Sequence, residues 1–322
     1  MPREKIKCIT SIGGQALIEG IMMRGPRKTV LAVRQPEGEI ALEEVAANPS
    51  RIRRMPWKLP VLRGVAAFVD SIAVGYRALS RSAEISGMEE VEEDEATKFD
   101  QWIDKHFGDK IMNVVMGIGT AFGVVLAIGL FFVLPTWVFN LLQKGAGPGL
   151  AVWRSPVEGL MRIFIFLAYI VLISRMKDIH RLFQYHGAEH KTIFCYESGE
   201  ELTVENVRRH RRFHPRCGTS FLVLMLLVGI VIGFFIPFSN PFLRTAVKLL
   251  CIPLVMGIGY EMLRYCGRNE NTLTRVIAAP GLWFQRITTQ EPDDSMIEAA
   301  IAAMKEVIPE NGEDRIELEN AS

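Results

Sequence analysis

The sequence lacks charge over two long stretches. Residues 111–143 and 217–243 contain no Asp, Glu, Lys or Arg, and each stretch exceeds the ~20 apolar residues that cross about 30 Å of hydrocarbon. Cysteine is also scarce, with 5 in 322 residues, too few and too scattered for a disulfide framework. The first residues lack the apolar core of a cleavable signal peptide. These absences exclude a purely soluble globular protein, a disordered chain and a disulfide scaffold.

Charge and hydrophobicity are segregated along the chain. Hydrophobic residues make up 49% of it, while its 37 basic and 36 acidic residues nearly cancel. This segregation predicts three regions: a cytoplasmic N-terminal region (1–100), a membrane domain (101–265) that includes a cytoplasmic loop (175–216), and a cytoplasmic C-terminal region (266–322).

The N-terminal region combines β and helical patterns. The glycine-dense segment 10–25 predicts a turn-rich structural loop, with a ligand contact as the alternative. Residues 29–34 and 39–45 are β-prone and flank a turn, which predicts a hairpin. Apolar residues at helical spacing after Pro60 predict an amphipathic helix. That helix packs on the hairpin or lies among lipid headgroups.

Two further patterns lie outside the apolar part. The acidic run 89–95 predicts a solvated linker. Near the carboxyl end, Ala279-Pro280-Gly281 predicts a turn, and acids followed by an apolar stripe over 291–308 predict a packing helix.

Four apolar segments follow the linker, at about 111–142, 157–174, 217–238 and 245–262. The second and fourth are weaker, so that Arg162 and Lys248 must snorkel to an interface unless these segments are re-entrant. The pattern predicts a predominantly α-helical polytopic membrane protein with about four transmembrane segments and a small α+β cytoplasmic N-terminal region. Lys and Arg concentrate in the terminal regions and in loop 175–216, which predicts that both termini and this loop are cytoplasmic. We expect the bacterial inner membrane as its location.

Four of the six histidines lie within residues 186–214 of the central loop. His186-Gly187-Ala188-Glu189-His190 has the H-x-x-E-H form. On a helix, His186 and His190 share one face and can bind one metal ion, beside which Glu189 can act as the catalytic base. Gly187 weakens the helix that this arrangement requires.

His214 and Cys217 form a second half-site, because a His/Cys pair at i, i+3 is typical of metal binding. Two half-sites in one short loop predict Zn²⁺ or another divalent transition metal. Four ligands would close the shell around a structural ion, whereas three leave a position for water. The alternative is that these histidines line a polar membrane interface, which is also the interpretation for His180 and His210.

Two acids are possible additional members of the site. Glu19 stands alone in the glycine-rich segment and could reach the same pocket. Glu261 lies near the cytoplasmic end of the fourth segment, where an acid is a functional candidate, although a pair with Arg264 explains it equally simply.

The motifs of residues 13–25, 186–191 and 214–221 resemble those of the YqhQ-like family of bacterial membrane proteins. The resemblance covers nearly the whole chain. The family is of unknown function and is described as predicted metal-dependent enzymes, so the resemblance implies a metal role for His186, Glu189, His190, His214 and Cys217. It implies neither a substrate nor a reaction.

Three functions fit these patterns. The first is a membrane-embedded, metal-dependent hydrolase, with zinc as the expected metal, that acts on a membrane peptide or lipid from the cytoplasmic side. The second is a non-catalytic, metal-stabilised scaffold or partner in membrane-protein biogenesis. The third is a cation transporter. The lipid bilayer and a membrane protein are the expected partners. Nucleic acid is not, because the short basic run 208–212 lacks interleaved aromatic residues. Nothing in the sequence sets the oligomeric state.

Overall fold

A computed structural model describes residues 8–45, 59–87, 118–269 and 271–316. The predicted linker at 89–95 lies outside the described residues. The chain divides into two compact units. One holds the described parts of 1–87, 170–225 and 256–322, and the other holds those of 88–169 and 226–255.

The first unit contains the described strands. These are β1 (Ile9–Thr10), β2 (Gly13–Leu17), β3 (Gly20–Arg24), β4 (Thr29–Arg34), β5 (Ile40–Val45) and β6 (Arg315–Ile316). An antiparallel four-stranded sheet has the order β2-β3-β4-β5, and β1 pairs with β6 in a second, two-stranded sheet. The β4–β5 pairing confirms the predicted hairpin.

The prediction of a structural loop over residues 10–25 is wrong, because most of this segment forms the β2–β3 hairpin. A two-residue turn joins the strands, and Glu19 in that turn has a φ of 48°. Gly20 is required by packing, since a Cβ there would lie 2.5 Å from the Ala32 carbonyl oxygen. Glycine therefore serves close strand pairing here, which a composition of turn-forming residues does not reveal.

The described helices are α1 (Leu62–Ile85), α2 (Ile118–Ala146), α3 (Arg154–Ile173), α4 (Lys177–Ser198), α5 (Val204–Arg209), α6 (Gly218–Gly233), α7 (Pro241–Leu250), α8 (Ile252–Arg268), α9 (Thr272–Thr288) and α10 (Asp294–Val307). A π-helical turn at Gly129–Val133 lies within α2, and a 3₁₀ helix at Pro148–Trp153 precedes α3. The chain is thus mainly helical, as predicted.

The four-stranded sheet is covered on both faces. Leu17, Leu31 and Val33 pack with Val74 and Ala78 of α1 on one face. Alternate residues of the same strands pack with α4 and α10 on the other face. Since successive side chains of a strand point to opposite faces, β3 and β4 are buried almost continuously.

Helix α1 confirms the predicted amphipathic helix and packs on the sheet, the first of the two predicted placements. Its outer side is still apolar, because Val69, Ile72 and Tyr76 are 52%, 56% and 65% exposed. Helix α10 confirms the predicted C-terminal packing helix, with Asp293 as its N-cap. The predicted turn at Ala279–Gly281 is wrong, since α9 continues through Pro280.

Two helices are long and apolar enough to cross a membrane, the helix Ile118–Ala146 and the helical segment Gly149–Ile173. A third candidate is the pair α7 and α8, whose axes differ by 48° at a short break. Helix α6 is apolar but has only 16 residues. The described residues thus contain two or three helices suited to spanning a membrane, and four spans remain a prediction.

The second unit buries a cluster of charged side chains. Glu158 of α3 accepts hydrogen bonds from Arg244 at 3.0 Å and from Lys248 at 2.5 Å, and it also pairs with Arg154 and Arg162. The two long side chains that were expected to snorkel, Arg162 and Lys248, are only 7% and 6% exposed. They lie inside the unit because a buried carboxylate compensates them, and a buried charge is stable only when it is paired.

We expect Glu158→Gln to lower the free energy of unfolding by about 3–5 kcal/mol, because it leaves buried cations without their shared anion. Unfolding in mixed detergent micelles measures this change. Glu205→Gln is the matched control. It breaks an exposed pair with Arg209, and such pairs contribute about 0–1 kcal/mol. Equal effects of the two substitutions would contradict this account of the cluster.

Candidate functional site

The candidate site is built on α4, a polar helix that is buried over most of its length. All residues from Tyr185 to Cys195 are buried, because the sheet and α10 enclose this part of the helix. The helix ends at Gly199, whose φ of 70° allows its N–H to bond to the carbonyls of the last turn. The sequence His186–His190 is therefore helical, as the H-x-x-E-H pattern requires.

Gly187 has a packing role within this helix. A Cβ at this position would lie 2.0 Å from the carbonyl oxygen of Gln290. The N–H of Gln290 donates to the carbonyl of Phe183 at 2.8 Å, which holds the segment after α9 directly against α4. The glycine that weakens the helix by propensity thus allows the close approach that completes the site.

Backbone carbonyls orient both histidines of the motif. The Nδ1 atom of His186 lies 2.8 Å from the oxygen of Thr288, and that of His190 lies 2.5 Å from the oxygen of Arg212. A carbonyl oxygen can only accept a hydrogen bond, so the Nδ1 atom of each ring carries a hydrogen. The Nε2 atom of each ring is therefore the nitrogen that could bind a metal ion. This is the arrangement that orients histidine ligands in metal sites.

Cys217 lies opposite the two histidines. Its Sγ is 3.1 Å from Nε2 of His186, and one ligand atom from each of His186, His190 and Cys217 lies within 4.8 Å of the others. Burial alone would raise the pKa of the thiol, but His190 and His186 outweigh burial and hold that pKa well below its usual range. These three residues could hold a metal ion, and the thiolate form that a metal requires is favoured here.

Glu189 is buried beside this group. Its Oε1 accepts a hydrogen bond from the N–H of Gly14 at 3.0 Å. Its Oε2 is buried without a hydrogen-bond partner among the described residues, as is Nε2 of His190. Burial raises the pKa of this carboxyl group. Glu189 and His190 are adjacent on α4, so a ligand at this place could interact with both atoms.

His214 does not join the group of three. Its ring packs against Phe194 and His190, with centroids 4.7 and 5.5 Å away, and its Nε2 lies 3.8 Å from a carboxylate oxygen of Glu197. Burial and the nearby Arg216 lower the pKa of His214 well below its usual value. His214 is therefore a neutral neighbour of His190.

The two possible additional acids lie elsewhere. Glu19 accepts hydrogen bonds from Arg181 and from the hydroxyl of Tyr185, which fastens the β2–β3 turn to α4. Glu261 is bound by both ends of the Arg63 guanidinium group, so its hydrogen-bonding partner is on α1 rather than being Arg264. Neither belongs to the group of His186, His190 and Cys217.

A cavity of about 750 Å³ borders the group. Its lining includes His186, Glu189 and Cys217 together with residues of β2. The rest of the lining is largely apolar. A partly enclosed apolar cavity with a few convergent polar groups is the usual form of a ligand-binding site.

A second group of possible ligands is formed by Cys195, Glu200 and His210, whose ligand atoms also lie within 4.8 Å of one another. Burial raises the pKa of the Cys195 thiol to about 12, which keeps the thiol protonated. Glu200 is exposed. The group around Cys217 is the better candidate because the pKa of its thiol is lowered and its members are all buried.

Several residues that build the site were not found by pattern. Gly14, Arg212 and Thr288 contribute only backbone groups, so their side chains give no signal. Gln285 lies on a helix far along the chain. Its side chain accepts a hydrogen bond from the N–H of His214 at 2.7 Å and donates one to the carbonyl of His214 at 2.8 Å. Only the glycine density near residue 14 could have indicated a close approach.

Comparison with known proteins identifies the family of the chain. The model of the family described as "Protein of unknown function (DUF1385)" matches residues 59–310. The chain belongs to the DUF1385 family. It is 32% identical over 305 residues to the uncharacterized protein YqhQ of Bacillus subtilis (strain 168), and the match covers 94% of each chain. No solved structure matches it.

In this DUF1385 chain, we expect Gly187→Ala to lower the free energy of unfolding by about 1–3 kcal/mol, because the added methyl group overpacks α4 against Gln290. The control is Gly229→Ala in α6, where a Cβ meets no atom within 4 Å. It should be neutral or stabilising by roughly 0.5–1 kcal/mol. Thermal unfolding in detergent compares the two. A stabilised Gly187→Ala protein would refute the packing role.

Proposed function

We propose that this chain is a membrane-embedded, metal-dependent hydrolase that cleaves a membrane peptide or lipid from the cytoplasmic side. The observation that carries the proposal is the conjunction of three buried donors with one unpartnered carboxylate oxygen at the edge of a cavity. His186, His190 and Cys217 are the metal ligands in this proposal, and zinc is the expected ion because histidine and thiolate are its usual ligands.

The number of donors favours catalysis over a structural role. Structural zinc sites are closed by four protein ligands, whereas catalytic sites use three and keep one position open. A divalent ion bound here would supply a Lewis acid next to the cavity. The His214 ring faces Glu197 instead of completing the group.

Glu189 is the general base in the proposed reaction. Its Oε1 is held by the Gly14 N–H, which leaves Oε2 to take a proton from the attacking water and deliver it to the leaving group. Burial raises the pKa of this carboxyl group, which brings it closer to the range in which one group both accepts and donates a proton near neutral pH.

The membrane topology is part of the proposal. Four spans in the bacterial inner membrane, with both termini and the central loop in the cytoplasm, would put the site at the cytoplasmic surface. The excess of Lys and Arg in these regions supports this orientation, and the two or three long apolar helices supply spans.

We expect Glu189→Gln to retain the metal and to lose activity by about 10²–10⁴-fold, since it removes only the proton acceptor. His190→Ala should lose the metal itself. Elemental analysis of the purified proteins measures metal content. Release of fluorophore from quenched apolar peptides and from phospholipids in proteoliposomes measures hydrolysis.

Glu205→Gln, an exposed substitution on the same cytoplasmic loop, is the control for both measurements. Wild-type protein that carries no transition metal after purification and metal loading would exclude the metal site. A Glu189→Gln protein with full activity would instead favour a metal-stabilised scaffold.

Metal affinity should rise with pH below about 9. Burial opposes the charged form of His186, but the Cys217 thiolate outweighs it and raises the pKa of His186 to about 9 in the metal-free site. The ion must displace this proton, so we expect roughly tenfold tighter binding per pH unit below that value. Competition with a zinc-chelating dye measures the slope. An affinity independent of pH would contradict the thiolate–imidazolium pair.

A further inference from the structure

The edge of β2 that faces away from β3 forms part of the wall of the cavity that borders the candidate site, and Glu189 of α4 contacts this edge at Gly14. The sheet order puts β2 at one end of the four-stranded sheet, with β3 as its neighbour there. Gly13, Gly14, Gln15 and Ala16 of this strand line the cavity together with His186, Glu189 and Cys217. An edge strand beside reactive groups presents backbone hydrogen-bonding groups to whatever enters.

The direction of these backbone groups follows from one hydrogen bond. The N–H of Gly14 donates to Glu189 and therefore points away from β3. In a strand, the N–H and C=O of one residue point to the same side, and the next residue but one repeats that direction. The C=O of Gly14 and both the N–H and C=O of Ala16 therefore point away from β3.

These three groups have no hydrogen-bond partner elsewhere in the described chain. Small residues keep them accessible, since Gly14 has no side chain and Ala16 has only a methyl group. A larger residue at position 14 would be excluded, because a Cβ there would lie 3.0 Å from the Glu189 side chain and 2.7 Å from the Met22 carbonyl oxygen. The wall of the cavity at this edge is thus mainly peptide backbone.

We infer that the substrate is a polypeptide, bound in extended form as an additional strand on the edge of β2. This inference rests on the proposed hydrolase function and names its substrate class. An extended peptide carries C=O and N–H groups at the same two-residue repeat as the strand edge, and addition of a strand to a sheet edge is a general mode of peptide binding. A lipid acyl chain has neither group and would leave all three strand atoms unsatisfied.

Glu189 lies at one end of the three outward-pointing backbone groups of β2. Its position there sets the register in which a peptide could pair with the strand. Ala16 and Gly14 offer successive pairing positions along the strand, and Glu189 occupies the Gly14 N–H itself. A chain that pairs with Ala16 and then with Gly14 continues past Glu189. The cavity that such a chain would enter is also lined by His186 and Cys217. The apolar side chains of Leu182, Phe183 and Val74 in the lining favour apolar substrate residues.

The test is a methylation scan of an acetylated Leu-Ala-Leu-Ala peptide that ends in a hydroxamate, which chelates a divalent ion and so fixes the register. Each backbone N–H in turn is replaced by N-methyl, and affinity for the detergent-solubilised, zinc-loaded protein is measured by fluorescence anisotropy. We expect affinity to fall roughly five- to tenfold at alternate positions and to stay unchanged at the positions between them.

Two controls separate the possible results. An acyl hydroxamate of the same length should bind at least about tenfold more weakly than the peptide. Ala16→Pro removes the strand N–H that points away from β3, and proline is tolerated at sheet edges. It should weaken peptide binding without changing the affinity for acetohydroxamate, which is too small to reach the strand.

Equal losses at every position, no loss at any position, or equal binding of the acyl hydroxamate would each overturn the inference. The scan is repeated with peptides that end in a carboxamide, which do not require a metal. If the alternation persists there and the hydroxamate adds no affinity, the strand inference stands and the metal proposal fails.

Discussion

The burial of a polar helix is the constraint on which the candidate site depends. Helix α4 carries histidines, a lysine and glutamates through the interior of the first unit, and each buried polar group there requires a partner. The partners come from distant parts of the chain: the Gly14 N–H for Glu189, the Thr288 and Arg212 carbonyls for the histidines, and the Arg208 carbonyl for Lys191. Because the buried polar groups of this helix need partners, three other segments of the chain come together around it.

Polar atoms of α4 that have no hydrogen-bond partner indicate where a ligand could bind. Most polar groups of α4 are matched, but Oε2 of Glu189 and Nε2 of His190 are not matched within the described residues. Both lie at the candidate site, together with a thiol whose pKa is lowered by its histidine neighbours. The second unit solves the same problem differently, since Glu158 there is surrounded by four cationic side chains. The charges around Glu158 thus pair with one another, whereas Glu189 lines a cavity.

Local patterns predicted the elements whose causes are local. The hairpin at 29–45, helix α1 and helix α10 follow from β-prone residues around a turn, helical periodicity and acids in a first turn, and each is confirmed. Patterns failed where packing decided the outcome. Gly14 and Gly20 allow strands to approach closely instead of forming a loop, and Pro280 lies within a helix instead of ending it. Arg162 and Lys248 turn inward because Glu158 is there to compensate them, a partner that hydropathy does not identify.

The sequence by itself determined that the chain is apolar enough in places to span a membrane, and it predicted that His186, Glu189, His190, His214 and Cys217 lie together. These properties depend on composition and on residue spacing within a helix or a short loop. Only the tertiary structure decided that His214 turns toward Glu197, that Glu19 and Glu261 pair with arginines, and that the edge of β2 lines the cavity. Those outcomes depend on which backbone and side-chain groups from distant parts of the chain contact one another. No periodicity along the chain encodes such contacts.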